Sequence, residues 1–297
     1  MNHFLHRLFN IRPGEGARAA LLCLVVFSGH AVQSVGKILQ LSIFLDRYGR
    51  QVIPYAFLGA AISVALVSTA FAGLSRLIRR DRLAPVTLGV LLTGFLLWRL
   101  GVAGRWTHGA FVLYIWVEVA SVLAVVLAWN AVNNACDPRQ GKRILPLAGL
   151  GASAAFLLSG FGVHPLVKWG MHAEDLSFFV VVALGAAVFL HRILARSTRE
   201  DAAEGEARRP KNVSPRSPRL PSTRSGPGES RGIGSVLRSG FAQIAASKLL
   251  TMFALVTVLA ILAQQLLDYM FLTGLKHQYD KAELASFLGI FMGALGG

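Results

Sequence analysis

Apolar runs long enough to cross a lipid bilayer constrain this chain more than any other feature. With a rise of about 1.5 Å per residue, a helix needs roughly 20 apolar residues to span the hydrocarbon. Seven stretches are of that order, at residues 19–45, 52–78, 85–102, 110–132, 144–163, 176–193 and 249–272. An eighth begins near Ala285 and is still apolar at Gly297, so the chain reads as cut off in mid-helix. The expected fold class is therefore all-α: a polytopic membrane bundle of helices.

Charge supports this reading through its placement. Only 15% of residues are charged and 54% are hydrophobic, whereas a soluble domain usually carries about 25% charged residues. Thirty Lys and Arg against fifteen Asp and Glu give a net charge of +15, a balance that elsewhere signals nucleic-acid binding. Here the basic residues sit in short clusters between apolar runs, with no nucleic-acid motif, so the expected partner is the lipid bilayer. Cys23 lies in the first run and Cys136 beside a basic cluster, which gives no disulfide framework. The eight histidines show no metal-ligand spacing, and neither metal nor cofactor is expected. Residues 1–10 have too short an apolar core for a signal peptide and read as an amphipathic segment on the cytoplasmic leaflet.

Counting Lys and Arg on alternate sides sets an orientation. Without the long segment after the sixth run, ten fall on the side of the N-terminus and seven on the other. The N-terminus and residues 1–18 are thus expected to be cytoplasmic, in the cell (inner) membrane. Residues 19–194 form a six-helix N-terminal half. Residues 195–235, rich in Arg, Ser, Pro, Gly and Glu, cannot bury a core and read as a disordered cytoplasmic linker. Residues 236–297 open a second half with helix seven and part of helix eight. A weak internal repeat agrees: Gln33 and Lys37 precede Phe57-Leu58-Gly59, as Gln264 and Asp268 precede Phe287-Leu288-Gly289.

Ionisable groups inside a span cost roughly 2.5–3.5 kcal/mol on insertion scales, so they are functional candidates by default. Three stand out: Lys37, Glu118 and Asp268. Counted from the cytoplasmic ends of their runs, they lie at a similar depth, where opposite charges could offset each other's desolvation or share a charged ligand. Polar residues accompany them at helical spacing. His30, Gln33, Lys37 and Gln40 form one stripe, and Thr257, Gln264 and Asp268 another. Asn130, Asn133 and Asn134 cluster below Glu118, with Trp129 on a similar face. The expected substrate-binding residues are Lys37, Glu118, Asp268, Gln33, Gln264 and Asn130. The competing readings are snorkelling of Lys37 and Asp268 to the interface, an interfacial Glu118, and interhelical glue for the asparagines. Gly149-Leu-Gly151 lacks the strand and third glycine of a dinucleotide loop, and Gly149, Ser153 and Gly160 suit close helix packing instead. No nucleophile–base–acid set is present, so no enzyme is expected.

Several segments, in order, resemble the non-mitochondrial ATP/ADP carrier family, nucleotide transporters of the major-facilitator superfamily. They are Phe9-Asn-Ile-Arg-Pro-Gly-Glu15, Val52-Ile-Pro-Tyr55, Gly141-Lys-Arg-Ile-Leu-Pro-Leu-Ala-Gly-Leu-Gly-Ala152, Leu157-Leu-Ser-Gly160, Leu267-Asp-Tyr-Met270 and Ala285-Ser-Phe-Leu-Gly-Ile-Phe291. The resemblance implies a major-facilitator-like bundle exchanging nucleotides by alternating access. It also implies that a Lys in helix one, a Glu in helix four and a Glu in helix seven act on the nucleotide, which maps to Lys37, Glu118 and Asp268. The family's second Lys, in helix ten, would lie beyond Gly297. Two alternatives stand beside this: a facilitator for another small organic ion, proton-coupled through Glu118 or Asp268, and a non-transporting membrane protein.

Overall fold

A computed structural model of the chain describes residues 16–48, 50–78, 80–103, 108–136, 138–207, 247–275 and 281–295. The expected amphipathic segment at residues 1–10 and most of the expected linker lie outside them. Eight α-helices account for the described chain: α1 (Gly16–Arg47), α2 (Ile53–Leu77), α3 (Arg80–Ala103), α4 (Gly109–Ala135), α5 (Pro138–Lys168), α6 (Leu176–Ala207), α7 (Lys248–Leu275) and α8 (Lys281–Leu295). Two single 3-10 turns, Arg50–Val52 and Ala173–Asp175, lead into α2 and α6. Among the described residues no strand occurs, and six helices, α1 to α6, are long and apolar enough to cross a membrane. The chain is an all-α, polytopic membrane bundle.

Local chemistry sets the helix boundaries. Pro54 near the start of α2 and Pro138 at the start of α5 stand where a missing N–H costs nothing. The end of α5 is built by a glycine. Gly170 takes a left-handed φ of 93°, its N–H reaches the Val167 carbonyl at 3.0 Å, and Met171 N–H reaches Leu166 at 3.2 Å. That pairing satisfies the last carbonyls of the helix and turns the chain toward α6. At both ends α5 (Pro138–Lys168) outlasts the apolar run at residues 144–163.

At its far end α6 differs from expectation. The sequence suggested a linker from residue 195, yet the helix continues to Ala207. Residues 195–207, ARSTREDAAEGEA, are dominated by strong helix formers, and the first proline after them is Pro210. High polarity there marks departure from the apolar layer, not the end of the helix.

The chain divides into two compact units. The first takes Met1–Arg196 with Leu272–Gly297, and the second Ser197–Phe271. The boundary differs from the expected start of a second half at residue 236, because α8 packs on α5 and α1. In the first unit α1 is central, packed along α4 on one flank and α5 on another. Leu22, Val25 and Val26 of α1 meet Ala128 and Val132 of α4, Ile144 and Ala148 of α5, and Leu194 of α6 in one buried cluster. Arg18 donates to the carbonyl of Ala135 at 2.6 Å, placing a cation at the C-terminus of α4, where the helix dipole favours it. By contrast α2 turns Tyr55, Leu58, Ile62 and Leu66 outward, the all-apolar face a lipid-exposed helix carries. In the second unit α7 exposes Leu255, Leu259 and Leu266.

Candidate functional site

The site begins with two glycines. Gly29 and Gly36 lie on α1 seven residues apart, so they share one face. A Cβ on Gly29 would meet the Ala124 carbonyl oxygen and the Ala128 Cβ, each at 3.1 Å, and one on Gly36 would meet Val117 at 3.0 Å. Their missing side chains let α1 approach the antiparallel α4 closely. Farther along, Phe44 stacks obliquely on Tyr114 with ring centroids 4.9 Å apart, which fixes the register at the other end. Between these contacts Lys37 of α1 and Glu118 of α4 are brought face to face.

Lys37 Nζ forms an ion pair with Glu118 Oε1. Gln40, one turn on from Lys37 and fully buried, donates from Nε2 to the same oxygen at 2.8 Å. One carboxylate oxygen therefore receives an ammonium and an amide, and both donors come from one face of α1. The Lys37 side chain keeps 29% of its surface exposed and that of Glu118 17%. The pair is partly accessible, and the Lys37 ammonium is directed to Glu118 of the neighbouring helix. A charge taken this far from water is tolerable only with its partner and hydrogen bonds in place.

The other expected site residues are placed differently. Gln33, half-buried on α1 one turn before Lys37, contributes no hydrogen bond to the pair. Asn130 stands about 18 Å along α4 from Glu118 and is exposed, as are Asn133 and Asn134. Gln264 and Asp268 belong to the second unit, on α7, where both side chains are exposed. Of the six expected residues, the first unit joins two, and it adds Gln40. The polar stripe of the sequence already contained Gln40, but nothing in its spacing separated it from Gln33. Their difference is rotational: Gln40 turns into the α1–α4 seam and Gln33 does not.

His30, the first residue of the stripe, serves packing. It is buried, its Nδ1 shares a hydrogen bond with the Val26 carbonyl at 3.0 Å, and its ring meets the edges of Trp129 and Phe156. Among the described residues no group of three His, Cys, Asp or Glu side chains is arranged to hold a metal ion. Neither Cys23 nor Cys136 is in a disulfide. The arrangement is suited to holding one anionic group at a cation flanked by a fixed donor. Compared with known proteins, the chain matches no family model, no curated protein and no solved structure.

Proposed function

We propose that this chain is a membrane transporter of small organic anions, and that nucleotides are exchanged as its resemblance to the ATP/ADP carriers implies. The observation that carries this reading is the Lys37–Glu118 pair, set partly accessible within two membrane-spanning helices and reinforced by Gln40. A bilayer-embedded ammonium has no need to exist for folding, because an apolar pair of the same volume packs as well or better. Its presence marks a place where charge is handled. Transport of this kind proceeds by rocking of two helical halves about a central site, as in the major-facilitator superfamily, and calls for no chemical step. On this reading the N-terminus is cytoplasmic, in the cell (inner) membrane.

Uptake of labelled ATP by intact cells expressing the full chain tests the proposal. Uptake should exceed that of empty-vector cells, exchange against unlabelled ADP, and fall to background with Lys37→Ala. Uptake of another organic ion that follows the proton gradient and ignores nucleotides would replace it with the proton-coupled facilitator reading.

A further inference from the structure

The Lys37 ammonium sits in a place where it needs an anion at all times. When the site is empty that anion is Glu118. A substrate anion reaching Lys37 must displace the Glu118 carboxylate, and a displaced carboxylate in the same layer would be a second uncompensated charge. Among the described residues no cation other than Lys37 pairs with it. Facing α4 from α1, the only charged side chain at this level is Lys37, with His30 two turns away and Asp46 beyond in the other direction. The described side chains of α2 carry no charge between Ile53 and Ser75. On α3, Arg82 and Arg99 stand near the two ends, and Arg99 is bonded to Asp175 at 2.9 Å. On α5, Lys142 and Arg143 stand near one end and Lys168 at the other, and His164 is hydrogen-bonded to Ser286 of α8.

Gln40 supplies the missing piece. Its amide is fully buried, its Nε2 is committed to Glu118 Oε1, and its own Oε1 has no hydrogen-bond partner. An ionised carboxylate only accepts, whereas a protonated one donates through its O–H. A primary amide serves both states: NH2 toward the carboxylate, C=O toward the acid after a half-turn of the side chain. Because no other bond holds the carbonyl end, that half-turn breaks only the contact it replaces.

We propose that Glu118 is an internal stand-in for the substrate anion, and that Gln40 is the positioning residue that exchanges its donor end for its acceptor end when Glu118 takes up a proton on anion binding. The proton comes from water, converting carboxylate to carboxylic acid while Lys37 stays an ammonium. The site is neutral in both conditions, as Lys37 with Glu118, or as Lys37 with one substrate negative charge and an uncharged Glu118. The ligand class is an oxyanion, phosphate or carboxylate, and its binding is linked to uptake of a proton. The proposal rests on the reading of Lys37 as a transport site.

The test uses the full chain purified in detergent, with ATP as probe, and reads two quantities together: equilibrium binding, and proton uptake by an indicator dye in weakly buffered solution. Wild type should take up about one proton per ATP bound. Glu118→Gln, lacking the internal competitor, should bind ATP more tightly with no proton uptake. Gln40→Leu should weaken ATP binding about tenfold or more and lower the proton count. ATP bound by wild type without proton uptake, or lost in Glu118→Gln, overturns the proposal.

Failure of ATP to bind wild type sinks the nucleotide reading alone, and infrared difference spectra on acidification then decide the role of Gln40. A protonated-carboxyl band absent from Glu118→Gln should move to higher frequency in Gln40→Leu, as the acid loses its acceptor. A band indifferent to Gln40→Leu overturns the proposal.

Discussion

Lys37 and Glu118 are 81 residues apart in the chain and meet at one oxygen atom. Removing one partner differs from removing both. Glu118→Ala leaves an ammonium in an apolar layer with only part of its surface exposed, and should cost about 2–4 kcal/mol, read as a lower thermal midpoint in detergent. The double variant Lys37→Met with Glu118→Leu replaces the pair by side chains of similar volume and should recover most of that loss while transporting nothing. If instead the double variant is as unstable as Glu118→Ala, the pair contributes to folding in its own right. The sequence singled out Lys37 and Glu118, together with Asp268, because charge inside an apolar run is conspicuous whatever the fold. It could not single out Gln40, since a neutral amide looks the same on a buried face as on an exposed one. The same holds of Asn130, which stands exposed at a distance from Glu118 along α4.

At the scale of elements, the helices meet where glycine removes a Cβ. On α5, a Cβ at Gly151 would run into the backbone carbonyl of Cys23 on α1, while one at Gly149 meets nothing within 4 Å. The sequence suggested Gly149 as a packing position, but two residues along a helix is more than half a turn, and Gly151 faces α1 instead. Gly151→Val should lower stability by about 1–3 kcal/mol through overpacking. Gly149→Ala should be neutral or raise it by up to about 1 kcal/mol through helix propensity. Thermal unfolding of the two variants side by side checks both. Gly160 did prove to be a packing position: a Cβ there would strike the backbone of Gly293, and one on Gly289 would strike the Gly160 carbonyl, so α5 and α8 touch main chain to main chain. That seam was not legible in advance, because its two strands of small residues are separated by more than 120 residues and only the folded chain pairs them. Among the described residues the existence of the helices was legible, since length and apolarity suffice for it, whereas the polar extension of α6 to Ala207 was not.

For the whole molecule, the basic residues near the ends of the helices carry the proposed orientation. In a variant lacking Cys23 and Cys136, a cysteine from Lys142→Cys should be shielded from an impermeant maleimide added outside cells, and one from Trp169→Cys should react. Both positions are exposed and lie at opposite ends of α5. The reverse labelling would invert the proposed topology. The central place of α1 bears also on how the protein is made. α1 leaves the ribosome before every described helix that packs on it, and the partner of its lysine waits for α4. At about 5–20 residues per second, the 81 residues between Lys37 and Glu118 take roughly 4–16 s to synthesise. For that interval α1 must be held at the insertion machinery, or ride high in the membrane with its ammonium among the lipid headgroups, and settle to its final depth only when α4 arrives.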